Sequence, residues 1–207
     1  MMQVALPLRP RKVDGLPGGQ LTVFELVDID SALEEAVRRG GRAPYGGVLW
    51  DTAPCVAAVV LDRAPRGRRV LELGCGLGLV SLACARAGAS VLATDVEELA
   101  LEATRRAAAH AGLAVETALF DVADDTPLPA CELLVIADLL YEASLATAVA
   151  RRARAALACG AQVVVGDPGR AGRAAFTAAL GGAAVADFAP VVVGGHHADV
   201  AVLACRS

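Results

Sequence analysis

Aromatic residues are scarce, at 3% of the 207 residues, and there is a single tryptophan, Trp50. A basic stripe is missing too. The formal charge is −4, and phosphate backbones need clustered cations, so no nucleic-acid partner is expected. Groups such as Arg66, Arg68 and Arg69, or Arg151, Arg152 and Arg154, read as solvated helix ends and loops. The six cysteines, Cys55, Cys75, Cys84, Cys131, Cys159 and Cys205, form no C-x-x-C pair. This spacing argues against a zinc site and against a disulfide framework, and leaves buried free thiols. No apolar run reaches bilayer length without a charge or glycine inside it, so no membrane partner is expected. Met1-Met2-Gln3 leads into Pro7, Arg9, Pro10, Arg11 and Lys12 rather than into the apolar core of a signal peptide, and the chain reads as cytoplasmic.

What is present is a core. Hydrophobic residues make up 56% of the chain and charged residues 20%, a balance that suits one large globular domain or a small pair. Its centre is Val70-Leu71-Glu72-Leu73-Gly74-Cys75-Gly76-Leu77-Gly78. Arg69 to Leu73 reads as a buried parallel strand, and Leu79 to Ala87 as a helix ending at Gly88. Glycines between a strand and a helix allow a sharp turn and a close approach of ligand to backbone, while the helix offers free N–H groups. A bare G-x-G-x-G also suits a plain tight turn. Two residues sharpen the reading: Glu72 inside the strand, and Asp95 at the end of the next apolar run, Ser90 to Asp95, roughly twenty residues on, where a carboxylate can reach both ribose hydroxyls. Asp95 equally suits a helix cap ahead of Glu97 and Glu98.

Together these residues resemble the first two motifs of the class I S-adenosylmethionine-dependent methyltransferases. The resemblance implies an α/β, Rossmann-like, seven-stranded mixed sheet with helices on both faces and an antiparallel C-terminal hairpin. Residues 1–43 would form an N-terminal extension and 44–207 the methyltransferase domain. It implies S-adenosylmethionine as cofactor, S-adenosylhomocysteine as product, and direct displacement without a metal. Gly74, Cys75, Gly76 and Gly78 would lie along the methionine part, and Glu72 would fix the turn or the cofactor's amine. Asp95 and the following Val96 would hold the ribose side, with Phe120 or Val122 on the adenine ring and Asp121 on its amino group.

Trp50, after Pro44-Tyr45, would by itself be a core anchor. In its setting it resembles the small seven-stranded protein methyltransferases that include the lysine methyltransferase of electron transfer flavoprotein beta subunit, where this segment closes over the cofactor. Asp51-Thr52-Ala53-Pro54 departs from the Pro-Gly-Gly-Gln of the closest members. Asp138-Leu139-Leu140-Tyr141, after the strand Glu132 to Ala137, resembles the D-x-x-Y motif of the lysine-directed branch. Asp138, also set to touch the cofactor, and Tyr141 would then be the catalytic pair that orients an amine. The alternative is an Asp cap for a helix from Ser144 and a half-buried tyrosine. Gly166-Asp167-Pro168-Gly169-Arg170 resembles the same group, with Asp167 and Arg170 as substrate-binding residues or as a structural pair.

At the ends, Leu21 to Val27 reads as a strand, and Ser31-Ala-Leu-Glu34 has capping-box spacing before a helix through Arg39. Ala183 to Phe188 and Asp199 to Cys205 read as two strands, with His196 and His197 in the turn and no third metal ligand nearby. The expected activity is methylation of a protein lysine, with electron transfer flavoprotein beta subunit as first candidate partner. A small-molecule N- or O-methyltransferase uses the same cofactor frame, and a non-catalytic binding module could retain the fold.

Overall fold

In a computed structural model of the chain, residues 7–63 and 65–204 are described. Met1 to Gln3 and Cys205 lie outside them. Seven strands form one sheet and two form a separate hairpin.

The hairpin comes first. Strand β1 (Leu8–Val13) pairs antiparallel with β2 (Leu21–Leu26), and Arg9 and Arg11 both donate to the Glu25 carboxylate across it. β1 is an addition to the expected single strand; its Pro10 and alternating basic residues mask the pattern. Helix α1 (Ile29–Arg38) follows, and its cap is Asp28, whose carboxylate accepts the Ser31 N–H at 3.0 Å. The helix thus begins before Ser31, which sits at its third position and donates to the cap instead of being one.

Helix α2 (Thr52–Asp62) leads to the main sheet. The strands β3 (Arg69–Leu73), β4 (Ser90–Asp95), β5 (Glu116–Leu119), β6 (Leu133–Ala137) and β7 (Gln162–Asp167) are parallel. β8 (Ala189–Val193) and β9 (His196–Leu203) complete the order β5-β4-β3-β6-β7-β9-β8, with β9 antiparallel to both neighbours. The C-terminal hairpin is therefore present, but its first strand is the segment expected to be the connection. Pro190 is tolerated there because β8 is an edge strand, and His196 and His197 belong to β9. His196 Nδ1 lies 2.7 Å from Asp51 Oδ1, which ties the hairpin to the start of α2.

Helices connect β3 to β4, β4 to β5 and β6 to β7, whereas β5 reaches β6 through a loop long enough for a crossover. α2, α3 (Leu79–Arg86) and α4 (Glu98–Ala111) cover one face with a core that includes Val56, Leu82 and Ala107. α5 (Ala143–Ala158) and α6 (Arg173–Leu180) cover the other with Val149, Ala153 and Phe176. The N-terminal hairpin docks on α4 through Phe24, whose ring meets His110 edge-on at 5.7 Å and lies 4.5 Å from the Arg106 guanidinium. Arg152, expected in solvent, is buried. It donates to the carbonyls of Val122 and Thr126 at 3.0 and 2.6 Å and to that of Asp124, so it clamps the loop after β5 onto α5.

All five parallel strands end at one edge, where ligands bind in such sheets. Gly166 in β7 sets the distance there between sheet and α2. A Cβ at this position would overlap Val56 Cγ2 and lie 2.8 Å from Thr52 Cγ2. Gly166→Ala is expected to cost about 1–3 kcal/mol through overpacking, which a thermal melt reads as a transition lowered by several degrees. An unchanged melt would show that α2 moves away freely.

Candidate active site

The turn after β3 is shaped by three glycines with positive φ: 65° at Gly74, 51° at Gly76 and 74° at Gly78. Their surroundings differ. A Cβ on Gly78 would lie 2.5 Å from Thr104 Oγ1, and one on Gly74 would lie 2.6 Å from Leu139 Cδ2. At Gly76 it would meet only the Gly46 carbonyl oxygen, at 3.5 Å, so the open side of the turn is at Gly76. Cys75 is buried, with its N–H on the Thr94 carbonyl at 2.9 Å.

Two carboxyl groups hold this turn. Glu72, 2% exposed, accepts the Ser81 N–H at 2.9 Å and the Ser81 hydroxyl, which fixes the first turns of α3. Burial pushes its carboxyl up to about 8, so it keeps its proton at neutral pH. Asp95 accepts the Gly76 N–H on Oδ2 and the Glu97 N–H on Oδ1, both at 3.0 Å. Each oxygen retains a further lone pair, so the clasp is compatible with a hydroxyl ligand. Burial raises the Asp95 carboxyl, against the pull of those amides.

Glu97 was passed over in the sequence, although an acid directly before a helix and two residues after Asp95 is a usable signal. Burial, reinforced by Asp95, moves it up to about 7. It lies beside the turn Tyr45–Gly47: a Cβ on Gly46 would be 3.3 Å from Glu97 Oε2 and 2.9 Å from Ala100 Cβ. A Cβ on Gly47 would be 2.6 Å from Leu26. The segment ahead of Trp50 is therefore seated on both α4 and β2.

Around this centre the apolar residues divide. Phe120 is buried, with the Arg152 guanidinium 4.9 Å from its ring centre, and Val122 is buried beside it. Val96 and Leu119, at the ends of β4 and β5, are exposed. An adenine ring would find its free apolar surface on Val96 and Leu119 sooner than on Phe120. Asp121 turns one oxygen to the Ala123 N–H at 2.8 Å, within its own loop.

At the end of β6, Asp138 is the only non-glycine residue with positive φ among the described residues, at 60°. Its N–H donates to the Gly166 carbonyl at 3.0 Å. This conformation is strained but accessible to aspartate, and the next residue, Leu139, packs over Gly74. The Asp138 carboxylate accepts a fork from Arg170, Nε to Oδ1 at 2.8 Å and Nη2 to Oδ2 at 3.0 Å. Trp50 lies 5.4 Å under that guanidinium, and its indole N–H donates to the Tyr45 carbonyl at 3.1 Å. Tyr141 is half exposed, and burial and Glu142 raise its hydroxyl, which stays protonated at neutral pH. No hydrogen bond joins Tyr141 to Asp138 among the described residues. Nor does Asp138 cap α5, whose cap is Glu142.

Asp167 takes a different place from the one expected of it. It is fully buried, and its Oδ2 accepts the N–H groups of Gly169 and Arg170 at 2.9 and 3.0 Å and Arg173 Nε at 2.6 Å. Asp167 thus holds the turn from within, whereas Arg170 stays at the rim. The structural Asp–Arg pair is Asp167 with Arg173.

One cleft is lined by Val48, Trp50, Glu72, Gly74, Cys75, Gly76 and Asp138. Buried acids beside a glycine turn open at Gly76, together with exposed apolar side chains at Val96 and Leu119, suit a ligand with a cationic part, hydroxyls and a flat ring. S-adenosylmethionine has these features.

The family described as "Methyltransferase domain" matches residues 70–167. Electron transfer flavoprotein beta subunit lysine methyltransferase of Danio rerio is 31% identical over 132 residues, covering 62% of this chain and 51% of that protein. The Xenopus laevis protein of the same name is 33% identical over 132 residues, covering 62% and 54%. The chain thus spans about half the length of these curated relatives. The T. Thermophilus 16S rRNA N2 G1207 methyltransferase, solved with AdoMet and guanosine, superposes with a TM-score of 0.66 at 18% identity over 94% of this chain and 50% of that one, a likeness of fold.

The buried acids give a pH test. Folded Glu72 keeps its proton up to about pH 8, whereas the unfolded residue loses it near 4.5. Between those values the folded state binds more protons, so stability falls as pH rises. Glu72→Gln keeps an acceptor for Ser81 and removes the titration. Its melting temperature is expected to decline less than that of the wild type between about pH 5 and about pH 8, with a residual slope from Glu97. Parallel declines would mean that Glu72 ionises normally.

Proposed function

We propose that this chain is a class I S-adenosylmethionine-dependent methyltransferase and that it methylates the side-chain amine of a protein lysine, with electron transfer flavoprotein beta subunit as the first candidate substrate. One observation carries the reading: the glycine turn and Glu72 share a single cleft with Asp138 and Trp50, so cofactor-type and amine-type groups face the same space. The names of the relatives at 31% and 33% identity support the choice of lysine.

S-adenosylmethionine supplies a methyl group made electrophilic by its positive sulfur. The Gly74–Gly78 turn, with Glu72, Asp95 and Val96, would hold it, and Trp50 would close one side. Asp121 would serve the adenine edge only by keeping its second oxygen free of its own loop. Asp138 accepts hydrogen bonds from the amine and orients its lone pair. It also stabilises the charge that remains on the nitrogen after transfer. A lysine amine starts with a pKa of about 10.4, so its proton must pass to bulk water at the cleft mouth before the lone pair attacks, and desolvation in the cleft favours that loss. The protonated Tyr141 hydroxyl can orient the amine but is no base at neutral pH. Leu26 in β2 carries one side of the seat of the Tyr45–Gly47 turn.

Incubation with radiolabelled S-adenosylmethionine and a lysate of the source organism, resolved by size, tests the reading. A discrete labelled protein band is expected. With Asp138→Ala it should weaken by on the order of a hundredfold, while cofactor affinity changes only a few-fold. Label confined to small molecules would transfer the assignment to an N- or O-methyltransferase of small substrates. Equal losses of turnover and cofactor affinity would remove Asp138 from the amine site.

A further inference from the structure

The only partner of the Asp138 carboxylate among the described residues is the Arg170 guanidinium, held by two hydrogen bonds of 2.8 and 3.0 Å. The Asp138 side chain is 7% exposed and that of Arg170 36%. The same cation lies over the Trp50 ring, its guanidinium carbon 5.4 Å from the ring centre. A carboxylate and an indole face with a cation between them form a site suited to an alkylammonium group. Both Asp138 and Trp50 line the cleft, next to Gly74 and Gly76.

The fork does not hold up the turn it comes from. The Arg170 N–H is bound by the buried Asp167, and Asp167 is anchored by Arg173, which also reaches Asp199 at 2.7 Å. The Arg170 side chain can therefore leave Asp138 while its backbone stays in place.

We propose that Asp138 and Trp50 form the seat for the acceptor's ammonium group, and that Arg170 is a built-in competing cation that occupies this seat until a cationic substrate displaces it. The proposal rests on the amine-methylating reading and narrows it. The acceptor arrives as a cation, because exchange of one cation for another leaves the shielded Asp138 paired throughout. A hydroxyl or thiol acceptor would have to displace Arg170 and leave the carboxylate without a counter-charge. Arg170 thereby sets a threshold against weakly bound amines.

Trp50 is the only tryptophan in the chain, so its fluorescence reports on the seat directly and without cofactor. Butylammonium chloride and 1-butanol are titrated into the wild type, Arg170→Gln, Arg170→Met and the double variant Asp138→Asn with Arg170→Gln. Butylammonium is expected to quench both single variants at a concentration roughly tenfold lower than the wild type requires. Butanol should have no effect, and the double variant should lose the response. Equal response in wild type and single variants, a response to butanol, or one that survives in the double variant would overturn the proposal. So would early melting of both single variants, since the turn would then depend on the fork. A seat that binds ammonium in a protein that methylates no amine would defeat only the functional reading. Lysine methylation by a protein without such a seat would defeat only this proposal.

Discussion

Asp95 accepts the Gly76 N–H with one oxygen and the Glu97 N–H with the other, so a single buried carboxylate fastens the glycine turn to the start of α4. Glu72 fixes the far side of the same turn through Ser81. These contacts keep a backbone with three positive φ angles in one conformation, which a flexible glycine segment would otherwise leave. Burying acids is unfavourable unless they are protonated or paired. Glu72 and Glu97 respond by holding protons to about 8 and about 7. A cation placed beside these carboxyls would favour their charged forms and lower both values.

The other half of the cleft rests on two neighbouring aspartate–arginine pairs with separate duties. Asp167 is fully buried and Arg173 partly so, and Arg173 also reaches Asp199 in β9, so the pair holds the end of β7 to the C-terminal hairpin. Asp138 and Arg170 lie at the rim beside Trp50. Because the inner pair fixes the turn, the outer pair is free to exchange partners. Backbone strain at Asp138 serves the same end, since it directs Leu139 onto Gly74 and leaves the carboxylate at the cleft.

The strands nearest the glycine turn were legible in the sequence to the residue: Arg69–Leu73 and Ser90–Asp95 have the expected limits. They are short apolar runs bounded by glycine or acid, and burial on both faces leaves little freedom in where they end. The outer strands were harder. β1 carries Pro10 and three basic residues, and β8 carries Pro190 and is partly exposed, so neither shows a buried pattern. Asp28 escaped notice as a cap because Ser31 offered a plausible one. The site residues were visible as types, but their pairings were not. Asp138 and Arg170 are 32 positions apart, and Arg152 reaches a loop about as distant. Contacts of that range are set by the sheet order, which local pattern does not encode. Hence Asp167 could be read as paired with Arg170 when its side-chain partner is Arg173.

The proposed methyl acceptor is a lysine of a protein. Tandem mass spectrometry of electron transfer flavoprotein beta subunit from the same organism, incubated with this protein and S-adenosylmethionine, tests it most directly. The expected result is a methyl mass increment on lysine that depends on Asp138. Methylation of another residue type, or product found only among small molecules of the lysate, would contradict it.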